Sequence, residues 1–142
     1  MIADSMQLDI VSAESRLFEG KVSFLSVTGA MGELGIAPGH MPLMTVLKPG
    51  QITFKDVDGK PACFYISGGF LEVQPTVVTV LADTAIRAEN LDEAASLAAK
   101  ERAEKVLSDQ KSGMEYTRAL AELAQARAQL RALKNLREYA GL

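Results

Sequence analysis

Apolar and polar residues alternate along Gln51-Ile52-Thr53-Phe54-Lys55. That is the pattern of a half-buried strand, with Ile52 and Phe54 turned inward and Gln51, Thr53 and Lys55 toward water. Leu71 and Val73 alternate with Glu72 and Gln74 in the same way. Residues 77–81 are apolar on both faces apart from Thr79, which predicts a strand with neighbours on either side. Asp58-Gly59 separates two such runs and supplies the positive φ of a tight hairpin. Glycines recur at Gly20, Gly29, Gly39, Gly50, Gly59 and Gly68-Gly69, and turn signals at intervals of about 8–12 residues between short apolar runs predict a β-sandwich or barrel.

The period changes near residue 86. All five prolines and nine of the eleven glycines precede Ala82, whereas residues 88–140 hold thirteen alanines. Strand chemistry gives way to helix chemistry. The expected fold is therefore β + α, with a β-sandwich or barrel domain over residues 1–86 followed by a C-terminal antiparallel α-helical hairpin over residues 87–142. Asn90 is the predicted N-cap of the first helix, with Glu93 three residues on completing a capping box and Asp92 favoured by the helix dipole. Leu91, Ala94, Ala95, Ala98, Val106 and Leu107 recur at helical spacing, and the run stops near Lys111-Ser112-Gly113. A second helix over residues 115–139 must then run back alongside the first. Their seam is poor in large side chains. At roughly 25 cal/mol per Å², alanine contacts hold such a pair by a few kcal/mol less than leucine contacts would. On the second helix Leu120, Leu123 and Leu130 share a face with Arg127, Lys134 and Arg137 at about 100° per residue. Such a face can pack through its leucines in one setting and present its cations in another. The plainer reading is a solvated face whose long stems cover apolar surface.

Charge and composition narrow the function classes. A net charge of −3 argues against a binder of nucleic acid, which needs a basic field over much of its surface. One cysteine, Cys63, excludes an intrachain disulfide and suits a reducing compartment. The first fifteen residues carry Asp4, Asp9 and Glu14 and no long apolar run, so no targeting segment is expected.

No catalytic constellation stands out. Gly29, Gly32 and Gly35 lack the spacing of a dinucleotide fingerprint, and Pro38 and Pro42 fall where a phosphate-binding helix would begin. His40 is the only histidine, which rules out a multi-histidine metal site within the chain. A small hydrolase built on His40 or Cys63 is one alternative. Cys63, however, begins Cys63-Phe64-Tyr65-Ile66, a run that reads as a buried strand in which a thiol behaves as a small hydrophobe. No cofactor is expected.

One stretch resists generic sandwich reasoning. Gly29-Ala30-Met31-Gly32-Glu33-Leu34-Gly35-Ile36-Ala37-Pro38-Gly39-His40-Met41-Pro42-Leu43 reads as a glycine- and proline-rich loop that offers Met31, Leu34, Ile36 and Met41 to a partner. Together with Ile66-Ser67-Gly68-Gly69-Phe70-Leu71-Glu72-Val73-Gln74-Pro75, Val80-Leu81-Ala82-Asp83-Thr84-Ala85 and Ala128-Gln129-Leu130-Arg131, it closely resembles the ε subunit of bacterial F-type ATP synthase over essentially the whole chain.

The resemblance implies a noncatalytic subunit in the central stalk of a proton-translocating rotary enzyme, at the cytoplasmic face of the bacterial inner membrane. Contact with the membrane is then made only through the complex. It implies a sandwich wedged between the γ subunit and the c-ring, with Glu33 facing the c-ring loops, His40 near the γ subunit, and Met31, Leu34 and Met41 on the rotor interface. It also implies that the hairpin extends into the catalytic head to impede ATP hydrolysis. Arg127, Arg131, Lys134 and Arg137 would then meet acidic surfaces of the α and β subunits. Some members of the family bind ATP on the folded hairpin through Ile or Leu, Asp, two residues, Arg and Ala. Here the stretch is Leu91-Asp92-Glu93-Ala94-Ala95-Ser96, so Ala95 replaces the arginine. Asp92, Arg102, Arg127 and Arg131 match the remaining positions, and the missing charge predicts weak or no ATP binding. A free-standing ATP-sensing module is the other alternative.

Overall fold

The computed structural model describes residues 4–109 and 112–140. Eight strands come first: β1 (Met6–Ser12), β2 (Arg16–Gly29), β3 (Gly32–Ile36), β4 (Leu43–Asp56), β5 (Pro61–Ile66), β6 (Gly69–Val73), β7 (Val77–Ala82) and β8 (Ala85–Arg87). A single 3₁₀ turn (Ala88–Asn90) leads to α1 (Glu93–Asp109) and α2 (Met114–Ala140).

Two long strands build both layers of the sandwich. The first half of β2 pairs with β1 and its second half with β3 and β4. Likewise the first half of β4 pairs with β6, and its second half with β5 and β2. Each strand therefore turns a corner between layers, and irregularities in β2 at Val22/Phe24 and Val27/Gly29 mark its corner, as bulges do where strands switch sheets. In β4 the corner falls at Pro49-Gly50. A Cβ on Gly50 would lie 2.4 Å from the Thr28 Cβ, so only glycine lets the two long strands approach so closely.

One layer runs β2–β1–β7–β6–β4, with β7 central and parallel to β1. Val78, Val80 and Ala82 of β7 face the core, while Leu81 is exposed. The strand is central, as expected, and its outer row carries an uncovered leucine. The core is filled by Met6, Leu8, Ile10, Val22, Leu25, Val27, Ile36, Leu47, Ile52, Phe54, Phe64, Ile66, Leu71, Val73, Val78, Val80 and Ala82. Every one of these residues belongs to a strand. Ile52, Phe54, Leu71 and Val73 point inward, as the alternation predicts.

The other layer is covered by α2. Strand β5 is buried on both faces: Phe64 and Ile66 enter the sandwich core, while Cys63 and Tyr65 face Ala128 and Ala132 of α2. On its other side α2 meets α1 through Ala119 and Leu123 against Ala103, Val106 and Leu107. The expected antiparallel hairpin is present, and its seam mixes Ala103 and Ala119 with the larger Leu123, Val106 and Leu107. Lys111, where the first helix was expected to stop, lies outside the described residues.

Three details differ from the sequence reading. The N-cap of α1 is Asp92, whose Oδ1 accepts from the Ala95 amide at 3.1 Å, not Asn90, which closes the preceding 3₁₀ turn. Ala94, Ala95 and Ala98 are exposed, and Ser96, Ala99 and Ala103 form the inward face. The glycine-rich stretch is no continuous loop: β3 lies within it and sends Ile36, 1% exposed, into the core.

Candidate interaction surfaces

The outer face of the layer that the hairpin leaves bare carries an apolar row. Register aligns Val46 of β4 with Phe70 of β6, Phe70 with Leu81 of β7, and Leu81 with Val11 of β1. Val46, Phe70 and Leu81 are each about half exposed, at 50%, 53% and 52%, and Met44 follows on the same face of β4 at 70%. Three large side chains side by side across three strands are a patch that a partner can cover, unlike scattered single apolar residues.

The residues expected at the rotor interface do not form one cluster. Met41 is exposed beside this patch, at the entrance to β4. His40 precedes it, half-buried, its Nδ1–H donating to the Met41 carbonyl at 2.7 Å. Met31 is fully exposed at the β2–β3 turn. Leu34 is partly buried against the main core, so it is a packing residue rather than a free contact. Glu33 lies on the other layer, opposite Thr28 in the β2–β3 ladder. Its carboxylate accepts from Thr28 Oγ1 at 2.7 Å and Ser26 Oγ at 3.4 Å. Glu33 and the apolar row thus occupy different faces of the sandwich.

The hairpin carries the second set. Arg127, Arg131, Lys134 and Arg137 are all exposed, but their surroundings differ. Arg137 is ion-paired to Glu93 at the start of α1, and this pairing raises its pKa through the hydrogen bond and the adjacent charge. Arg131 and Asn135 close a crevice of about 560 Å³ against Phe24, Ser26, Gln51, Thr53 and Lys55 of the sandwich. Arg127 and Arg131 together line a smaller neighbouring crevice with Thr28, Pro49 and Gly50.

The expected nucleotide ligands are not gathered either. Asp92 is engaged as a helix cap. Arg102 lies in the groove between α1 and α2, with Glu122, Gln125 and Gln129, whereas Arg127 and Arg131 line the crevice between α2 and the sandwich. Among the described residues the three arginines thus line two different clefts.

Sequence reasoning missed Ser96, Gln129 and Tyr65. Ser96, 2% exposed, donates its hydroxyl to Gln129 Oε1 at 2.6 Å. Burial pushes the Tyr65 phenol's pKa up, and the Gln129 side chain offsets part of that rise. A serine in an otherwise apolar inward row was the available signal. Cys63, beside Tyr65, is pushed up to about 11 by burial, which makes it a poor nucleophile at neutral pH.

Comparison with known proteins places these features in one context. Residues 5–88 match the model of the ATP synthase delta/epsilon chain β-sandwich domain, and residues 89–134 that of the delta/epsilon chain long α-helix domain. The ATP synthase epsilon chain of Nitrosococcus oceani is 54% identical over 99% of this chain and all of its own length. That of Chromohalobacter salexigens is 53% identical over 94% of this chain and 95% of its own. Among solved structures, a chain of the Euglena gracilis mitochondrial ATP synthase (OSCP/F1/c-ring) matches with a TM-score of 0.73 at 23% identity, over 99% of this chain and 84% of that one. A chain of the Tetrahymena thermophila central stalk/c-ring structure matches with a TM-score of 0.59 at 15% identity, over 94% of this chain and 99% of that one. At those identities the likeness is one of fold.

Proposed function

Because this chain belongs to the ATP synthase delta/epsilon chain family, as a noncatalytic stalk subunit of that enzyme, we propose that its sandwich is a fixed anchor in the rotor and its hairpin a movable brake on ATP hydrolysis. One observation carries this reading: the main core is closed by strand residues alone. The hairpin sits on the outside of that core through a separate contact, in which Ala128 and Ala132 meet Cys63 and Tyr65 with Leu91 and Leu136 packed against them. Alanine contacts remove little apolar area from water, so undocking costs far less than opening the core. A unit that can leave without unfolding its support is what a conformational brake needs.

Partners follow from the faces. The row of Val46, Phe70 and Leu81, with Met44, Met41 and His40 beside it, suits the γ subunit. Glu33 and Met31, on and beside the other face, suit the polar loops of the c-ring. In the extended hairpin Arg127, Arg131, Lys134 and Arg137 meet acidic surfaces of the α and β subunits, where complementary charge guides docking and fixes orientation. No helix among the described residues is long and apolar enough to cross a membrane. In this reading the chain is peripheral and reaches the cytoplasmic face of a bacterial inner membrane through its complex.

The test is ATP hydrolysis by the cognate catalytic head with no addition, with the full chain, and with a chain ending at Ala88. The full chain should lower the rate, and the truncated chain should bind without lowering it. Equal inhibition by both would remove the hairpin from the mechanism.

A further inference from the structure

Methionine is a flexible apolar side chain whose sulfur is open to oxidants wherever water reaches it. Met6 is sealed in the core, whereas Met31, Met41, Met44 and Met114 are all exposed, Met44 at 70%. Their settings differ. Met31 lies in the β2–β3 turn, Met41 precedes β4, and Met114 begins α2. Of the four, only Met44 lies within a strand, on the face that carries the apolar row of Val46, Phe70 and Leu81.

Register fixes what surrounds it. Two residues further along β4 is Val46, the end of the apolar row, and directly across on β6 is Glu72. Beyond Glu72 the same cross-strand line runs through Thr79 of β7 to Asp9 of β1. Met44 is therefore the apolar member of a polar line, and it widens the apolar row at one corner. A thioether suits that corner because it asks for no hydrogen bond. A sulfoxide does not, because its oxygen is an acceptor in need of a donor. Glu72 as a carboxylate only accepts, and Gln74 Nε2 already donates to Glu72 Oε1 at 3.1 Å. Val46 offers only hydrocarbon. Once a partner covers this corner, an oxidised Met44 is an acceptor buried between a carboxylate and apolar groups, which is costly.

We propose that Met44 is an oxidation gate on the docking face: as a thioether it extends the surface that a partner covers, and as a sulfoxide it opposes that covering. The inference rests on the reading of the apolar row as the surface for the γ subunit. The oxidant is hydrogen peroxide. The sulfur lone pair attacks one peroxide oxygen, the O–O bond breaks, an S–O bond forms and water leaves; sulfur is oxidised by two electrons and the peroxide is reduced by two. A covered Met44 is out of reach, so oxidation acts on the free subunit and docking protects it. A methionine sulfoxide reductase reverses the step and restores the apolar corner.

The full chain would be treated with hydrogen peroxide, its methionines mapped by mass spectrometry, and its binding to the cognate catalytic head with the γ subunit measured before and after treatment. Met44→Leu, Met114→Leu and Phe70→Asp would be compared with wild type, each against its own untreated form, with urea unfolding to show that each is folded. Treated wild type should bind about five- to a hundredfold more weakly than untreated, the cost of one unsatisfied acceptor. Met114→Leu should lose as much. Met44→Leu, in which Met31, Met41 and Met114 still react, should keep the affinity it had before treatment. Phe70→Asp should bind poorly without any oxidant. Undiminished binding by treated wild type, or an equal loss in treated Met44→Leu, with Phe70→Asp still defective, would overturn the gate and leave the docking face standing. Full binding by folded Phe70→Asp would remove the row from the interface and overturn both.

Discussion

The thiol of Cys63 on β5 lies against the backbone of α2, its Sγ 3.8 Å from the carbonyl oxygen of Ala132. Burial there raises its pKa from 9.0 to about 11. The docked state therefore prefers the protonated thiol. Its contribution to docking is complete below pH 9.0 and fades as the pH rises through about 11. The Tyr65 phenol, also raised by burial, acts in the same direction at the top of that window. Hairpin docking, followed by a fluorescence pair on α2 and the sandwich, should weaken between these limits. Cys63→Ala should flatten the lower part of the curve, and an unchanged curve in that variant would mean that the thiol is not the group that titrates.

The close approach of β6 to β7 makes a different demand on the chain. Gly69, at the start of β6, has φ +144°, and a Cβ there would lie 2.0 Å from the Leu81 carbonyl oxygen. Since that oxygen belongs to the neighbouring strand, nothing flexible can give way. Gly69→Ala should cost more than about 3 kcal/mol, in the range where single substitutions unfold small domains. Gly59 has φ +81° with open space around its Cβ position, so Gly59→Ala should cost only about 1–2 kcal/mol of backbone strain. Urea unfolding midpoints would separate the two. Similar losses would show that the close approach at Gly69 relaxes.

Those glycines also show how far the fold was legible. Strands with one wet face announce themselves by alternation, and Ile52, Phe54, Leu71 and Val73 all point where that alternation puts them. Strands β2 and β4 were harder to read, because a strand that serves both layers meets a different environment in each half. The first helix failed differently. With alanine on every side its pattern carries no contrast, so Ala94, Ala95 and Ala98 were expected inward and stand exposed, while Ser96 is buried. The cap was misplaced by two residues because Asn90 ends a 3₁₀ turn that local propensity does not distinguish from the helix start. At the interaction surfaces the sequence carried Met41 and Glu33. Leu81 and Phe70 came only with the register that sets them side by side.

Nucleotide affinity follows from the dispersal of the basic residues. A triphosphate needs several cations converging on one point, yet Arg102 and the Arg127–Arg131 pair line separate clefts, and Ala95 contributes no charge. Titration of labelled ATP into the isolated chain should show no saturation in the micromolar range. Micromolar binding would mean that the helices rearrange to bring the arginines together.

The ion pair between Glu93 and Arg137 yields a prediction of opposite signs. Both side chains are largely solvent-exposed, at 43% and 61%, so the pair adds little to overall stability and weakens further with salt. Its two members nevertheless have unequal roles in the proposed brake. Glu93 holds Arg137 only while the hairpin is folded. Arg137 acts in both states, on Glu93 when folded and on the catalytic head when extended. Glu93→Gln therefore removes a folded-state contact alone and should tilt the hairpin toward extension, deepening inhibition of ATP hydrolysis modestly and mainly at low ionic strength. Arg137→Glu destabilises the folded pair as well, but it also places a carboxylate where the extended hairpin meets an acidic surface, and it should relieve inhibition. Hydrolysis assays of the reconstituted head with each variant, at low and high salt, would read the two signs. If both substitutions shift inhibition in the same direction, Arg137 has no role in the extended state and the charge contact with the head must lie elsewhere on α2.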